Sequence, residues 1–217
     1  MKLDADRRRE ILNMFDISKS HAKVVDVLRV ESSLDDGMAS LIDFCAEHEK
    51  WRGWNALRKL EFSTDRSRLS RWLKGLLTKA PPPKPIKAYW FGLFNPIVDG
   101  KTTCGIYVAG ASAFDPEDDT FEWACDPAYF PDGRYAQSQV LGEIYQSVAK
   151  KAGGASYGEY VLCLGYVGLV VKHLAIKFGP ETWLGAARSR ALAVGFDSGD
   201  GVLLGSVTKD GWKPNNT

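Results

Sequence analysis

The chain lacks the features that mark most specialised protein classes. Its 217 residues include four cysteines and three histidines, and the basic and acidic residues nearly balance, leaving a net charge of +1. A near-neutral total gives no global attraction to nucleic acid or to an anionic membrane. Hydrophobic residues make up 45% and charged residues 25%, which excludes disordered, collagenous and coiled-coil classes.

Long hydrophobic runs are missing as well. The longest uncharged apolar stretch, residues 160–171, covers twelve residues, whereas a membrane span needs about 20. The N-terminal sequence MKLDADRRRE has no apolar core of the kind found in secretory signals. We therefore expect a soluble cytoplasmic protein with no membrane partner, whose cysteines are free thiols.

No catalytic signature is present. The sequence contains no nucleophile elbow, Walker motif or strand-bound dinucleotide fingerprint. Cys163 and His173 stand ten residues apart on one predicted helix, about 15 Å along its axis, which is too far for a pair. Cys45 and His48 share a helical turn, but a structural zinc site needs two such pairs. We predict no catalytic residue, no metal ligand and no cofactor.

The first 80 residues have the period of amphipathic helices. One helix face carries the residues Met38, Leu41, Ile42, Cys45 and His48. The same spacing continues through Trp51, Trp54, Leu57 and Leu60. A further helix is predicted to start after Thr64 as its N-cap, with Asp65 in the first turn. Its apolar face consists of Leu69, Trp72, Leu73, Leu76 and Leu77.

A proline-rich segment ends this helical region. Consecutive prolines between residues 81 and 85 cannot continue a helix and favour polyproline II. We predict a helical region 1–80, a linker 81–87 and an α+β domain 88–217. The linker is either a hinge between two domains or a stiff connection across the surface of one.

Two predicted hairpins enclose two helices in the second half. Residues 88–94 and 103–111 are strand-like around an Asp99-Gly100 turn, and residues 121–125 predict a third strand. Residues 191–196 and 202–204 flank the glycine-rich segment 197–201, which is interpreted as a hairpin turn rather than a calcium or phosphate loop.

The two helices predicted between the hairpins cover residues 140–152, ended by Gly153-Gly154, and residues 159–178. The second is apolar nearly all round and is expected to be buried. Its Gly165 and Gly168 would allow close packing of a neighbour. The fold class is therefore α+β: a helical N-terminal part, then an antiparallel sheet with two helices packed on one face.

Charge is distributed unevenly behind the near-neutral total. Residues 50–79 contain nine basic residues opposed by Glu61 and Asp65 alone, a net charge of +7. Residues 112–132 contain seven acidic residues and no basic one. We call residues 114–135 the acidic-aromatic loop, because six aromatic residues and three prolines are interleaved with these carboxylates.

The acidic-aromatic loop suits contact with a basic protein, because aromatic rings anchor an interface and carboxylates steer the encounter. Two other interpretations stay open. The aromatic rings could fold inward and leave the acids as a solvated surface, or the acids could pair with the basic segment 50–79 and join the two halves.

Four segments of the second half resemble bacterial immunity proteins encoded beside polymorphic or type VI-secreted toxins. They are Trp90-Phe-Gly-Leu-Phe94, Tyr107-Val-Ala-Gly110, Trp123-Ala-Cys-Asp-Pro-Ala-Tyr-Phe130 and Val194-Gly-Phe-Asp-Ser-Gly-Asp-Gly201. The resemblance implies a non-enzymatic cytoplasmic toxin inhibitor that binds one cognate toxin. Many such toxins are nucleases with basic clefts, for which an acidic surface would mimic phosphate.

The predicted partner-binding residues are Asp115, Glu117, Asp118, Asp119, Glu122, Trp123, Asp126, Tyr129, Asp132, Asp197 and Asp200. An alternative is a nucleic-acid-associated or regulatory protein that uses the basic helices 50–79, although nucleic acid is not the expected partner because the chain as a whole is not basic. A third hypothesis is an enzyme with Cys104 or Cys125 as its thiol.

Overall fold

The computed structural model describes residues 16–150 and 157–215. The helices of these residues are α1 (Ile17–Arg29), α2 (Leu34–His48), α3 (Trp54–Leu57), α4 (Phe62–Lys79), α5 (Gln139–Ala149), α6 (Leu164–Lys177) and α7 (Pro180–Leu184). A 3-10 turn covers Glu122–Ala124, and a π-helical turn, Glu159–Cys163, runs directly into α6.

The strands are β1 (Ala88–Phe94), β2 (Ile97–Val98), β3 (Lys101–Thr102), β4 (Gly105–Ala111), β5 (Tyr135–Ala136), β6 (Ser189–Phe196), β7 (Gly201–Thr208) and β8 (Gly211–Pro214). Six of them form one sheet in the order β5-β4-β1-β6-β7-β8, and β2 and β3 form a small separate hairpin. The α+β fold class is confirmed.

The sheet presents two different faces. The helix-covered face carries large side chains such as Phe91, Val108 and Leu192, which belong to the main hydrophobic core. The opposite face carries small residues, among them Ala88, Ala109 and Ala193. A second cluster of buried aromatic rings, contributed in part by the acidic-aromatic loop, covers that face. The sheet therefore lies between most of the helical layer and the Phe121–Trp123 part of the loop, whereas Tyr129 of the loop belongs to the main core.

Helix α6 is the centre of the helical layer, and its glycines pack as predicted. An added Cβ at Gly165 would lie 2.2 Å from Leu41 Cδ1 of α2, and one at Gly168 would lie 2.7 Å from Leu28 of α1. The two glycines thus let α1 and α2 approach α6 closely. The predicted ending at Gly153-Gly154 of the preceding helix lies outside the described residues.

The apolar face predicted for α2 is confirmed, since Met38, Leu41, Ile42 and Cys45 are all buried, while His48 ends the helix in an exposed position. The predicted continuation through Trp51 is wrong. Glu49 is extended, and the indole Nε1 of Trp54 donates to the Glu49 carbonyl oxygen at 2.8 Å. The chain therefore folds back and restarts as the short helix α3.

The prediction of Thr64 as an N-cap is also wrong, because α4 begins two residues earlier at Phe62. The predicted leucine face is buried. Asp65 does lie in the first turn, but its side chain is buried rather than solvated.

Both predicted hairpins form, but the strand pairing that joins the two hairpins differs from the prediction. β1 and β4 pair antiparallel, as do β6 and β7. The Asp99-Gly100 turn has positive φ at both residues, 50° and 73°, as tight hairpins require. The sheet is nevertheless mixed rather than antiparallel, because β1 and β6 run parallel. The helices α5, α6 and α7 supply the crossover that a parallel pair needs.

The predicted third strand at residues 121–125 is wrong. Phe121 has a left-handed backbone, with φ of 57°, and a 3-10 turn follows it. The carboxylate of Asp118 accepts hydrogen bonds from the backbone N–H groups of Thr120 and Trp123 at 2.9 and 3.4 Å. These side-chain contacts take the place of strand pairing.

The proline-rich segment is fastened to the sheet by Arg190. This side chain is fully buried and donates to the carbonyl oxygens of Pro82, Pro83 and Ile86 at 3.2, 2.9 and 3.1 Å. Buried residues from both sides of the segment belong to one hydrophobic cluster. The division into two domains stays a prediction.

One helical stretch, Glu159–Lys177, passes a length and composition test for a membrane span. Most of that stretch, 72%, is buried inside the fold. Burial of this kind is typical of the core helix of a soluble protein.

Candidate functional site: an acidic groove

The acidic-aromatic loop is ordered by its own carboxylates. Asp115 Oδ1 accepts a hydrogen bond from the Glu117 N–H at 3.0 Å. Asp118 accepts from the hydroxyl and the backbone N–H of Thr120, and these bonds hold the pKa of the Asp118 carboxyl below its usual value. The loop therefore presents its acids in a fixed arrangement.

The aromatic side chains of the loop mostly fold inward. The Trp123 ring lies 6.2 Å from Trp90 and 5.3 Å from Phe114, and it is 8% exposed. Tyr129 is 7% exposed and donates its hydroxyl proton to the Ala80 carbonyl. A partner could reach Trp123 and Tyr129 only if the loop opened. Phe130, by contrast, is half exposed.

The acids line a groove of about 710 Å³ between the loop, helix α1 and the β6–β7 turn. Its carboxylates are Asp26, Glu117, Asp118, Asp119 and Asp200. They are opposed by the cation of Arg29, and His21 also lines the groove. The groove is negatively charged although the chain is near neutral, because three segments distant in sequence bring their acids to one place.

Helix α1 is held against the sheet as one wall of this groove. His21 Nε2 is hydrogen-bonded to the Gly201 carbonyl oxygen at 2.9 Å. On the floor, the Tyr160 ring stacks on Phe196 with centroids 5.5 Å apart. Burial, with a smaller effect of the Asp200 charge, raises the pKa of Tyr160 to about 12, so the floor is neutral and aromatic.

The structure thus brings together four of the predicted acids, Glu117, Asp118, Asp119 and Asp200, and adds Asp26. Asp26 was missed because its contribution depends on where α1 packs, and nothing local to the sequence signals that placement. The remaining predicted acids are exposed outside the groove: Asp115, Glu122, Asp126, Asp132 and Asp197.

Asp197 makes a different contact from that of its neighbour Asp200. The Tyr107 hydroxyl donates to Asp197 Oδ1 at 2.8 Å. Burial, with Asp197 as the next cause, raises the pKa of Tyr107 above its ordinary value. Asp197 therefore ties the β6–β7 turn to β4.

No protein-family model matches the chain. The curated proteins and the solved structures likewise give no significant match. The function of the groove is therefore argued from its own geometry and charge.

The basic segment does not pair with the acidic-aromatic loop. Within residues 16–150 and 157–215, no salt bridge joins the two, and Arg58 pairs instead with Asp43 of α2. The contacts between them are neutral, such as the Trp72 Nε1–H donating to the Gly133 carbonyl at 2.9 Å. On α4, Arg71 and Lys74 are exposed.

The cysteines lie away from the acidic groove. Cys45, Cys104 and Cys163 are buried and Cys125 is exposed on the loop, all as free thiols. Burial raises the pKa of Cys45 to about 12, which makes it a small hydrophobe rather than a nucleophile. Among the described residues, no group of three or more His, Cys, Asp or Glu side chains could hold a metal ion.

Proposed function

We propose that the chain is an immunity-type protein that binds and neutralises a cognate bacterial toxin, such as one delivered by type VI secretion, and that the acidic groove is its contact surface. The observation that carries the proposal is the convergence of Asp26, Asp200 and the loop acids Glu117 to Asp119 on one groove. Repulsion between like charges makes such a cluster costly unless a cation is bound there.

The groove suits a partner segment that is both basic and apolar. Its acids stand beside apolar side chains, including Val25, Leu204 and the half-exposed Ile17. Apolar contact supplies area removed from water, while the carboxylates steer association and exclude acidic competitors. A nuclease cleft that receives phosphates has the matching charge, and carboxylates at the positions of phosphates would block it.

The loop is suited to this role because it is already ordered. Backbone hydrogen bonds to Asp115 and Asp118, together with the aromatic contacts of Phe121 and Trp123, fix its shape. A preordered surface loses less conformational entropy on binding. The inward aromatic rings thus support recognition by holding the acids in place.

The test is coexpression with the product of the adjacent gene. The wild-type chain is expected to rescue cells from that product and to copurify with it. The double variant Glu117→Lys/Asp119→Lys should weaken the complex by at least about tenfold and reduce the salt dependence of its association rate. Asp118 is left unchanged because its carboxylate holds the loop together.

The matched control is Glu122→Lys/Asp126→Lys. It makes the same charge change in the same loop, at exposed residues outside the groove. Rescue and affinity should stay close to wild type. Equal weakening by both double variants would show a diffuse charge effect, and unchanged affinity in the Glu117/Asp119 variant would remove the groove from the interface.

A further inference from the structure

A second cavity, also of about 710 Å³, shares no residue with the acidic groove. It lies between the β2–β3 hairpin, strand β5 and the start of α5. Its volume falls in the range of about 300–1,000 Å³ that buries a small organic ligand. Its chemistry is independent of the function proposed above.

The charged lining of this cavity is predominantly basic. Arg68 of α4 and Lys101 of β3 line it, opposed by Asp99 alone. Arg68 Nη1 donates to Gln139 Oε1 at 2.9 Å, and Gln139 Nε2 donates to Glu143 Oε1 at 2.8 Å. One bond orients the guanidinium and leaves its other N–H groups for a ligand, and a guanidinium fork matches phosphate geometry.

Aromatic rings form a second part of the lining. The centroids of the Phe94 and Tyr135 rings lie 5.1 Å apart, and both residues line the cavity. Tyr135 is half exposed, and the Arg134 guanidinium lies 4.7 Å from its ring centroid and 4.9 Å from that of Phe130. The stacked Arg134 steadies Tyr135 as a platform. Rings of this kind stack on planar bases regardless of sequence.

The remaining polar lining is rich in amides, notably Gln137 and Gln146. Side-chain amides carry both donors and acceptors, as the edge of a nucleobase does. We propose that this cavity binds a phosphorylated nucleoside, either as a free nucleotide or as the phosphorylated end of a single strand. Arg68 and Lys101 bind the phosphate, Tyr135 stacks on the base, and Asp99 accepts a ribose or amino hydrogen.

The proposal is tested by calorimetric titration of the full chain with ADP, adenosine and inorganic pyrophosphate. ADP should bind at least about tenfold more tightly than either fragment, because it uses both the basic and the aromatic lining. A 5′-phosphorylated single-stranded oligonucleotide distinguishes the two sources of the ligand. Tighter binding with a steep salt dependence identifies a strand end, and weaker binding than ADP identifies a free nucleotide.

Variants identify the cavity as the site. Lys101→Ala and Arg68→Ala should each weaken ADP binding by about tenfold. Arg71→Ala, which changes another exposed arginine of α4 that lies outside the cavity, should not. Tyr135→Ala should also weaken binding by about tenfold, while Tyr135→Phe keeps the ring and should bind as wild type does.

Three results would overturn the proposal. They are no ADP binding at millimolar concentration, equal affinity for pyrophosphate and ADP, and equal loss in the Arg71→Ala and Arg68→Ala variants. The groove variant Glu117→Lys/Asp119→Lys should bind ADP normally, so failure of either proposal is seen separately from the other.

Discussion

The carboxylate of Asp65 joins three helices. It accepts hydrogen bonds from the Ser138 hydroxyl at 2.5 Å, the Gln139 N–H at 3.0 Å and the Tyr166 hydroxyl at 2.8 Å. Asp65 lies on α4, Gln139 begins α5 and Tyr166 lies on α6. Burial, followed by the Asp65 charge, raises the pKa of Tyr166 above its ordinary value, so the phenol stays protonated and remains a donor.

We expect Asp65→Ala to lower the free energy of unfolding by about 3 kcal/mol, because it leaves buried donors without an acceptor. Urea unfolding measures this loss. The control Asp35→Ala removes an exposed carboxylate from the first turn of α2 and should cost less than about 1 kcal/mol. Equal losses in the two variants would mean that the carboxylate acts only through the charge of a first turn.

At the scale of elements, the features that were predicted correctly from the sequence are those that depend on local contacts. The hairpin at Asp99-Gly100 follows from residues that accept positive φ, and α6 follows from a continuous apolar run. The 3-10 turn after Phe121 was missed because Asp118 bonds to it across five residues, and apolar-aromatic spacing alone suggests a strand. The parallel pairing of β1 with β6 was missed because no local sequence pattern indicates in which direction a strand distant in sequence pairs.

The proline-rich segment is an element whose position depends on one distant residue, Arg190. Besides its three carbonyl acceptors in that segment, Arg190 donates to the Tyr89 hydroxyl at 2.8 Å and to the Trp183 carbonyl at 3.1 Å. A single lysine ammonium has three donors and cannot reproduce this fork. The guanidinium is the reason that the segment lies against the sheet.

We therefore expect Arg190→Lys to lower the free energy of unfolding by about 2–4 kcal/mol. Amide hydrogen exchange should also accelerate at Ile86, whose N–H donates to the Pro83 carbonyl at 3.1 Å. The control is Arg188→Lys, two residues away and exposed, which should change neither quantity. Exchange at Ile86 that stayed slow in Arg190→Lys would show that the prolines hold the segment by themselves.

At the scale of the whole molecule, the acidic groove depends on long-range packing. The sequence identified the acids of the loop and of the β6–β7 turn as candidates, because a local cluster of acidic residues can be recognised from the sequence alone. It could not show that Asp200 lines the same groove as Glu117 while Asp197 bonds to Tyr107, since both contacts depend on how the β6–β7 turn packs against segments distant in sequence. It left open whether the loop's aromatic rings face a partner or fold inward, and the small-residue face of the sheet provides the space in which Phe121 and Trp123 are buried.

The shared core makes a further prediction about the molecule as a unit. Leu41 of α2 is fully buried and lies where it would meet a side chain at Gly165 of α6, and α6 in turn packs on the sheet. Because the helical and sheet parts bury their apolar surfaces against each other, neither part can lose its structure without exposing the core of the other. We expect one cooperative unfolding transition.

Urea unfolding followed by far-ultraviolet circular dichroism and by tryptophan fluorescence tests this expectation. The two probes should give the same midpoint. Leu41→Ala, a change confined to the helical part, should lower both midpoints together, and the free energy of unfolding should fall by about 2–5 kcal/mol. The control Ile176→Ala truncates an exposed side chain and should shift neither. Two separate transitions, of which Leu41→Ala moved only one, would instead make residues 81–87 a boundary between independently folding domains.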